Sequence, residues 1–408
     1  MASSPDSRAG TMEDAVDGVV PSRVVEPATG EALAAALASA TQARQATVLR
    51  GGGTKTDWGY PPSRLDLVVS TTRLNRLVAH RHADLTATIQ AGVTLRNLNA
   101  ALARHRQWLP LDTAFDDATI GGLVATNDSG PLRHRYGTPR DLLIGATLAL
   151  ADGRLATSGG HVVKNVAGYD LGRLVSGSHG SFGALTEATF KLLPLPLATE
   201  TLVVSCRSED EAGACVAAIS ASQFDPTALD VHTAYGPRGS AEGVRVLMRF
   251  ASGPGAVDAQ MSSAQAQWPG ARTTGEREAA LWQEQVRAPW TAPGAVMRLA
   301  WLPAVLPRLL GLLRDIARRE QVSIVLAGRG GVGAGHVAID GPVPAQARAI
   351  ELLRAHGEAG HVAVLRGSAP LKAAVSVWGP PSDAAVPLRS LKQMFDSAGI
   401  LNAGRGPV

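Results

Sequence analysis

Ala46-Thr47-Val48-Leu49-Arg50-Gly51-Gly52-Gly53-Thr54-Lys55-Thr56 begins as a β-branched and aliphatic run and stops abruptly at three glycines. The first five residues read as a strand and the glycines as the turn that ends it. Three successive residues without a Cβ let the backbone fold so that neighbouring amide N–H groups converge on one anion, a pyrophosphate for example; Thr54 and Thr56 add hydroxyl donors. The stretch is not a Walker loop, because the opening glycine that motif needs upstream is missing. A glycine run also makes plain turns, so the neighbouring segments decide its meaning.

Upstream, 31–43 reads as a short helix. Downstream, 67–69 reads as a strand and 85–90 as another, where Leu85, Ala87 and Ile89 alternate with Thr86, Thr88 and Gln90 at the period of a half-buried strand. Gly92 and Thr94 open a helix that carries Leu95, Leu98 and Leu102 on one face and ends near Gln107. A strand is expected over 143–150 before the Asp152-Gly153 turn, and another over 185–192 before Pro194 and Pro196 break the chain. A domain boundary belongs there, since 408 residues exceed what one core usually fills. Beyond it strand and helix alternate: 202–206, 209–220, 244–250, then a helix over 303–319 with Leu306, Leu309, Leu310, Leu313 and Ile316 as its buried stripe, 323–327 and 344–356. No internal repeat is visible in the residues.

Two further loops have the chemistry of the first. Thr119-Ile120-Gly121-Gly122, with Asn127, Ser129 and Gly130 just after, offers small residues and exposed amides. Gly177-Ser178-His179-Gly180-Ser181-Phe182-Gly183 precedes a strand rather than a helix, which argues against a Rossmann fingerprint. With Leu109-Pro110-Leu111-Asp112, Val163-Lys164-Asn165-Val166-Ala167-Gly168-Tyr169-Asp170, Thr186-Glu187-Ala188-Thr189 and Ile400-Leu401-Asn402, these segments stand in one family's order and spacing. The chain resembles the FAD-binding proteins of the vanillyl-alcohol oxidase and para-cresol methylhydroxylase (PCMH) superfamily, and within them the E subunits of bacterial glycolate oxidases. The resemblance covers 21 to about 196 well, the last twenty residues fairly and the middle of the second domain weakly.

That resemblance implies an α+β fold. A disordered tail over 1–20 would lead into a two-part PCMH-type FAD-binding domain over 21–196; a smaller ferredoxin-like cap for substrate or subunit contact would span 197–385, with 386–408 packing back on the FAD domain. It also implies roles: Arg50, Gly51, Gly52, Gly53, Thr54 and Lys55 as the pyrophosphate loop, Asp112, Thr119, Gly121 and Gly122 as a second cofactor segment, and Ser129, Arg135 and Tyr136 near the flavin. Gly177, Gly180 and Gly183 match the last loop, and Asn402 an asparagine that reaches the isoalloxazine. Covalent members attach flavin to a histidine in the first loop; none lies between Arg50 and Tyr60, so FAD is expected to be non-covalent. Each residue has a plainer counterpart, Asp170 as a helix cap or Lys164 as a solvated charge, but the shared order of six segments outweighs these.

Flavin supplies the redox chemistry, leaving the protein to orient the donor and remove its hydroxyl proton. A 2-hydroxy acid calls for an arginine at the carboxylate and a histidine or carboxylate as base. The second domain offers Arg245, Arg249, Arg298, Arg329, His336 and Arg366, and their spacing selects none, so no catalytic residue is assigned. Catalytic members of the family carry His-x-Gly-Asp-Gly-Asn-x-His for a divalent metal. Gly328-Arg329-Gly330-Gly331-Val332-Gly333-Ala334-Gly335-His336 keeps the glycines with one histidine, so no metal site is expected. The resemblance therefore favours an FAD-binding subunit of a glycolate oxidase complex, working beside a paralogous catalytic flavoprotein and an iron–sulfur subunit to oxidise glycolate to glyoxylate. A stand-alone alcohol or 2-hydroxy-acid dehydrogenase, or a structural subunit that has lost FAD, stays open.

Composition narrows the partners. Lys and Arg number 39 against 35 Asp and Glu, a net +4 with no basic block, so nucleic acid is not expected. Arg133-His134-Arg135 is the local exception, read equally as a solvated loop or an anion contact. Cys206 and Cys215 lack a Cys-x-x-Cys companion and read as buried thiols in a reducing compartment. Residues 1–18 lack the basic and apolar regions of a secretory signal, and no apolar run reaches eighteen residues. A cytoplasmic protein is expected, with room for peripheral membrane association through partners at the inner face.

Overall fold

The computed structural model describes residues 7–160, 170–238 and 241–406. The chain divides into two units: Met1–Ser129, Gly137–Leu195 and Pro381–Val408 form the first, and Gly130–Tyr136 with Pro196–Pro380 the second.

In the first unit the strand Thr47–Arg50 is the outer member of a four-stranded sheet, ordered Ser7–Ala9, Arg23–Val25, Leu67–Ser70, Thr47–Arg50, in which the last three run parallel. A second sheet of five antiparallel strands follows the order Leu77–Arg81, Thr86–Gln90, Ala184–Lys191, Leu143–Ala149, Leu155–Gly159. The helix Gly30–Gln42 joins them. Thr29 caps it by accepting Ala32 N–H at 3.1 Å, and Glu31 sits where the first turn favours negative charge. Leu33 and Leu37 pack with Leu67 and Val69 of one sheet and Ala149 and Ala184 of the other. Each buried leucine contributes about 1.5–3 kcal/mol.

Two expectations are corrected here. The supposed disordered tail is structured from Ser7: Ser7–Ala9 pairs with Arg23–Val25, and Asp14, almost wholly buried, ties Met12–Asp14 to both Arg8 and Arg50. A sequence pattern rich in Ser, Asp and Glu hides a strand this short. The strand Thr86–Gln90 is buried on both faces, not one. One of its hydroxyls finds a partner inside, the Thr88 and Thr189 Oγ1 atoms lying 2.9 Å apart, and on the paired strand Ala184–Lys191 Thr186 Oγ1 donates to Thr147 O at 3.0 Å. Polar groups so paired can be buried at little cost, which removes the solvent face that alternation implies.

The second unit is one antiparallel sheet of eight strands, ordered Ala271–Thr274, Ala198–Cys206, Ala241–Ser252, Ala228–Tyr235, Ser323–Arg329, Ala334–Asp340, Ala295–Ala300, His361–Arg366. From Ala198–Cys206 through the helices Glu209–Ser220 and Pro254–Gln267 to Ala271–Thr274 the chain traces β-α-β-β-α-β. From Ala295–Ala300 through Leu306–Glu320 and Val343–Ala355 to His361–Arg366 it traces the same path again. This unit is thus two ferredoxin-like modules joined where Ala228–Tyr235 pairs with Ser323–Arg329. The repeat is one of connectivity, which is why the residues do not announce it. Glu209–Ser220 is buried through Ala212, Cys215, Val216 and Ile219, whereas its counterpart Leu306–Glu320 buries four leucines and an isoleucine. Cys206 and Cys215 are buried, and burial pushes their thiols up to about 11 and about 12, away from reactivity.

The glycine-rich segment around 328–335 also has its explanation in this unit. Gly328 and Gly335 face each other across the hairpin of Ser323–Arg329 and Ala334–Asp340, and the Trp301 indole occupies the space above them. A Cβ on Gly328 would stand 2.7 Å from that ring.

Candidate functional site

The turn after Thr47–Arg50 is built by exclusion. A Cβ on Gly51 would fall 2.2 Å from Thr119 Oγ1 and one on Gly52 2.0 Å from Asp117 O, so both positions require glycine. The first and second loops meet there. Arg50, entering the turn, donates to Asp14 Oδ1 at 2.8 Å. Asp14 is held well below the usual carboxylate range, first by Arg8 at 2.6 and 2.7 Å, then by Arg50 and by the Thr11 N–H and hydroxyl.

Lys55 has a partner within the protein besides its place on the groove. Its ammonium stands 3.2 Å from Asp128 Oδ2, with both side chains 6% exposed, and lies over the rings of Phe115 and Trp58 at 5.2 and 5.6 Å. Thr113 donates to the same carboxylate at 3.0 Å. The lysine charge is thereby matched inside the protein and fastens the first loop to the second.

Thr119 caps the helix Ile120–Thr126 through Gly122 N–H at 3.3 Å, which presents Gly121 and Gly122 on the cleft side. From the third loop His179 and Gly180 take left-handed conformations, with φ of +53° and +76°. Asn402, from the C-terminal segment, donates through Nδ2 to His179 O, and its amide fills the space a Gly180 side chain would need. Two adjoining hollows open to solvent result, sharing Leu49, Arg50, Gly51, Gly122, Ala125 and His179. An elongated groove with a glycine turn suits a dinucleotide.

The residues named from the sequence divide accordingly. Arg50, Gly51, Gly52, Gly53, Thr54, Lys55, Thr119, Gly121, Gly122, Gly180, Gly183 and Asn402 line the groove. Asp112, Ser129 and Gly177 lie in the same unit but not on its lining. Arg135 and Tyr136 fall in the second unit: Arg135 pairs with Asp225, and burial pushes the Tyr136 phenol up. Residues 163–169 of the segment ending at Asp170 lie outside the described residues. Asp170 itself caps the helix Leu171–Val175 by accepting Arg173 N–H at 2.9 Å, its plainer reading. Trp58, His179 and Arg405 line the groove without having been singled out. Arg405 donates to the carbonyls of Thr56, Trp58 and Tyr60; only the fold brings residue 405 to that loop.

One atom tests the fit of a ligand. Asn402 Oδ1 is buried on the groove and accepts no hydrogen bond from the described residues. A buried acceptor left unmade is costly, and a ligand N–H or O–H removes that cost.

In the second unit, strand pairing groups the candidates that spacing left separate. Arg245 lies opposite His232, Asp230 opposite Arg329, Ala327 opposite His336 and Arg298 opposite His336, so Arg245, Arg249, Arg298, Arg329, His336 and Arg366 all stand on one sheet face. The helix Gly275–Thr291 packs there, and several members are engaged. Arg249 meets the buried Glu278 at 3.0 Å; Arg366 donates to Trp290 O and Ala292 O, both at 2.8 Å; His336 stands edge-on to Trp290 at 5.2 Å. Arg329 is 3% exposed and makes no ion pair among the described residues, its Nε without an acceptor. No group of three or more His, Cys, Asp or Glu among the described residues could hold a metal ion, and none of their helices is long and apolar enough to cross a membrane.

Comparison with known proteins agrees with the groove. Residues 21–159 match the FAD binding domain family. The chain is 33% identical over 231 residues to glycolate oxidase subunit GlcD of Bacillus subtilis (55% of this chain, 49% of that protein) and 33% identical over 207 residues to D-lactate dehydrogenase of Archaeoglobus fulgidus (51% and 46%). It is 38% identical over 157 residues to glycolate oxidase subunit GlcE of Escherichia coli (38% and 44%). It spans about half the length of these curated relatives. The fold is that of alkyldihydroxyacetonephosphate synthase, with a TM-score of 0.71 at 18% identity over 94% of this chain and 76% of the other. Residues 21–159 are an FAD-binding domain, and FAD is the cofactor of this chain.

Proposed function

We propose that the chain is the FAD-binding subunit of a 2-hydroxy-acid oxidoreductase of the glycolate oxidase kind, oxidising glycolate to glyoxylate and passing electrons to an iron–sulfur partner beside a paralogous flavoprotein. The observation that carries this reading is the groove bounded by the three loops and Asn402, together with similarity to two proteins named as glycolate oxidase subunits. Bound FAD would accept the hydride equivalent of the alcohol carbon. The chain's own residues do the holding. Gly51 and Gly52 bring backbone to the cofactor, Asn402 Oδ1 accepts a hydrogen bond from it, and Arg50 stays oriented by Asp14. FAD is held without a covalent bond, in a protein that acts in the cytoplasm or at the inner membrane face through its partners.

A second reading, a stand-alone 2-hydroxy-acid dehydrogenase, is favoured by Arg329. A buried guanidinium that makes no ion pair among the described residues, although the buried Asp230 stands opposite it on the next strand, could bind a substrate carboxylate in a fork of two hydrogen bonds. The purified chain, given glycolate or D-lactate without oxygen, separates the readings. The subunit reading expects a yellow protein that releases its flavin on acid precipitation and is not bleached by substrate until its partners are added. Bleaching of the lone chain would make it a dehydrogenase in its own right, and a colourless chain that takes up no FAD would end both readings.

A further inference from the structure

Lys392, in the last turn of the helix Ala385–Phe395, has three ammonium donors and uses three acceptors: Asp396 Oδ2 at 2.6 Å, Leu401 O at 2.7 Å and Ser181 O at 2.9 Å. Its side chain is 16% exposed and that of Asp396 fully buried. The Asp396 oxygens accept Ile400 N–H at 3.1 Å and Leu401 N–H at 2.8 Å, so the pair fixes the backbone path between them. The next residues are placed in consequence. Thr47 N donates to Ile400 O at 2.8 Å and Asn402 N to Thr47 O at 2.9 Å, which adds the segment to the outer edge of the parallel sheet. Asn402 then reaches His179 O, and Arg405 the carbonyls that follow the glycine turn. One stretch near the C-terminus thus ties the strand Thr47–Arg50, the first loop and the third loop together. Neither Lys392 nor Asp396 lines the groove.

We propose that 392–405 is a clasp on the cofactor groove, in which Lys392 and Asp396 are positioning residues for Asn402 and Arg405, so that docking of this segment and binding of FAD depend on one another. The dependence follows from two costs. Without a ligand, docking leaves Asn402 Oδ1 buried and unmade, whereas FAD would give it a donor. Removing either member of the buried pair strands the other's charge, so the clasp holds or opens as a unit. Burial lowers the Lys392 pKa while Asp396 raises it, so the lysine keeps its charge by keeping its partner. A ligand that binds the docked form but not the opened one stabilises the docked form, and here FAD is that ligand. The proposal rests on FAD as the ligand of the groove.

The test uses the full chain, stripped of flavin and titrated with FAD. Wild-type uptake tests the cofactor assignment by itself; a wild-type chain that binds none overturns both. Given uptake, FAD should slow tryptic cleavage after Arg389, Lys392 and Arg405 at least tenfold. Lys392→Met and Asp396→Asn should each weaken FAD binding at least tenfold, read by flavin fluorescence. With Asn402→Ala already present, Lys392→Met should weaken it further by less than its effect on the wild type, because one of the two contacts it positions is gone. Cleavage at equal rates with and without FAD, or losses from Lys392→Met and Asn402→Ala that simply multiply, would overturn the clasp. The protection measurement needs no variant, so it decides even if a substituted chain fails to fold.

Discussion

The groove of the first unit and the polar sheet face of the second are specified in different ways. In the groove the constraint falls on backbone: Gly51 and Gly52 are glycine because Thr119 and Asp117 occupy the space of a side chain. Such constraints are local, and they leave a mark in contiguous sequence. On the sheet face the constraint falls on side chains drawn from separate strands, Arg249, Arg329, His336 and Arg366 among them, which only the pairing register brings together. The two also handle charge differently. Arg50, Lys55 and Lys392 are matched by Asp14, Asp128 and Asp396 within the first unit. Arg329 is buried without an ion pair among the described residues, the buried Asp230 lying opposite it on the next strand. A pre-matched groove is stable before its ligand arrives, whereas an unmatched buried charge costs stability and waits for a ligand to repay it.

The comparison breaks first at the glycines. Gly52→Val should lower the flavin content of the purified chain more than tenfold, with about 1–3 kcal/mol of overpacking in the loop. A full complement of flavin, read as the ratio of visible to ultraviolet absorbance, would show that the turn can move and that exclusion does not define the groove. Lys55→Met comes next. It strands the buried Asp128 charge and should cost about 3–5 kcal/mol in chemical unfolding, while adding Asp128→Leu should restore part of that loss. If the double substitution is no better than the single one, the pair is not what fastens the two loops.

These glycines explain why so much of the first unit was legible. The strand before the turn and the helix Gly30–Gln42 were readable, as in the second unit was the stripe of the helix Leu306–Glu320, because each is fixed by residues close in sequence. The two-sided burial of Thr86–Gln90 was not, since it depends on hydroxyl partners such as Thr189, about a hundred residues away. The duplicated module was hidden because alanine in one helix does what leucine does in the other. Lys55 was legible as a loop residue, but its turn toward Asp128 belongs to the packing of Phe115 and Trp58. Arg405 carried no signal that a fold would bring it to Thr56.

The sheet face is sharpened by Arg329→Met. Removing an unmatched buried charge should leave the chain as stable or about 1 kcal/mol more stable in thermal unfolding. The same substitution should raise the KM for a 2-hydroxy acid at least tenfold in whichever assembly turns it over, with flavin content unchanged, as loss of a charged hydrogen-bond pair implies. A variant that unfolds more easily at unchanged KM would mean that Arg329 is structural and that the two regions treat charge alike.

The smallest effect concerns Asp14, and its sign follows from the direction of the shift. Arg8 and Arg50 hold this carboxyl below its usual value of about 3.9. The stability it contributes is therefore present above that pH and is lost as pH falls through it toward the depressed value in the folded protein. Because Asp14 orients Arg50 on the groove, FAD affinity should weaken over the same acid window, below about pH 4. Arg8, the larger contributor, is half exposed and Arg50 only 15% exposed, so salt screens the first pair more than the second, and high salt should reduce the acid sensitivity without abolishing it. Asp14→Asn should bind FAD more weakly at neutral pH yet lose little more on acidification, giving a shallower limb in a plot of affinity against pH. If the two limbs run parallel, Arg50 is held in place by something other than this carboxylate, and the matched charges of the groove are not what readies it for its cofactor.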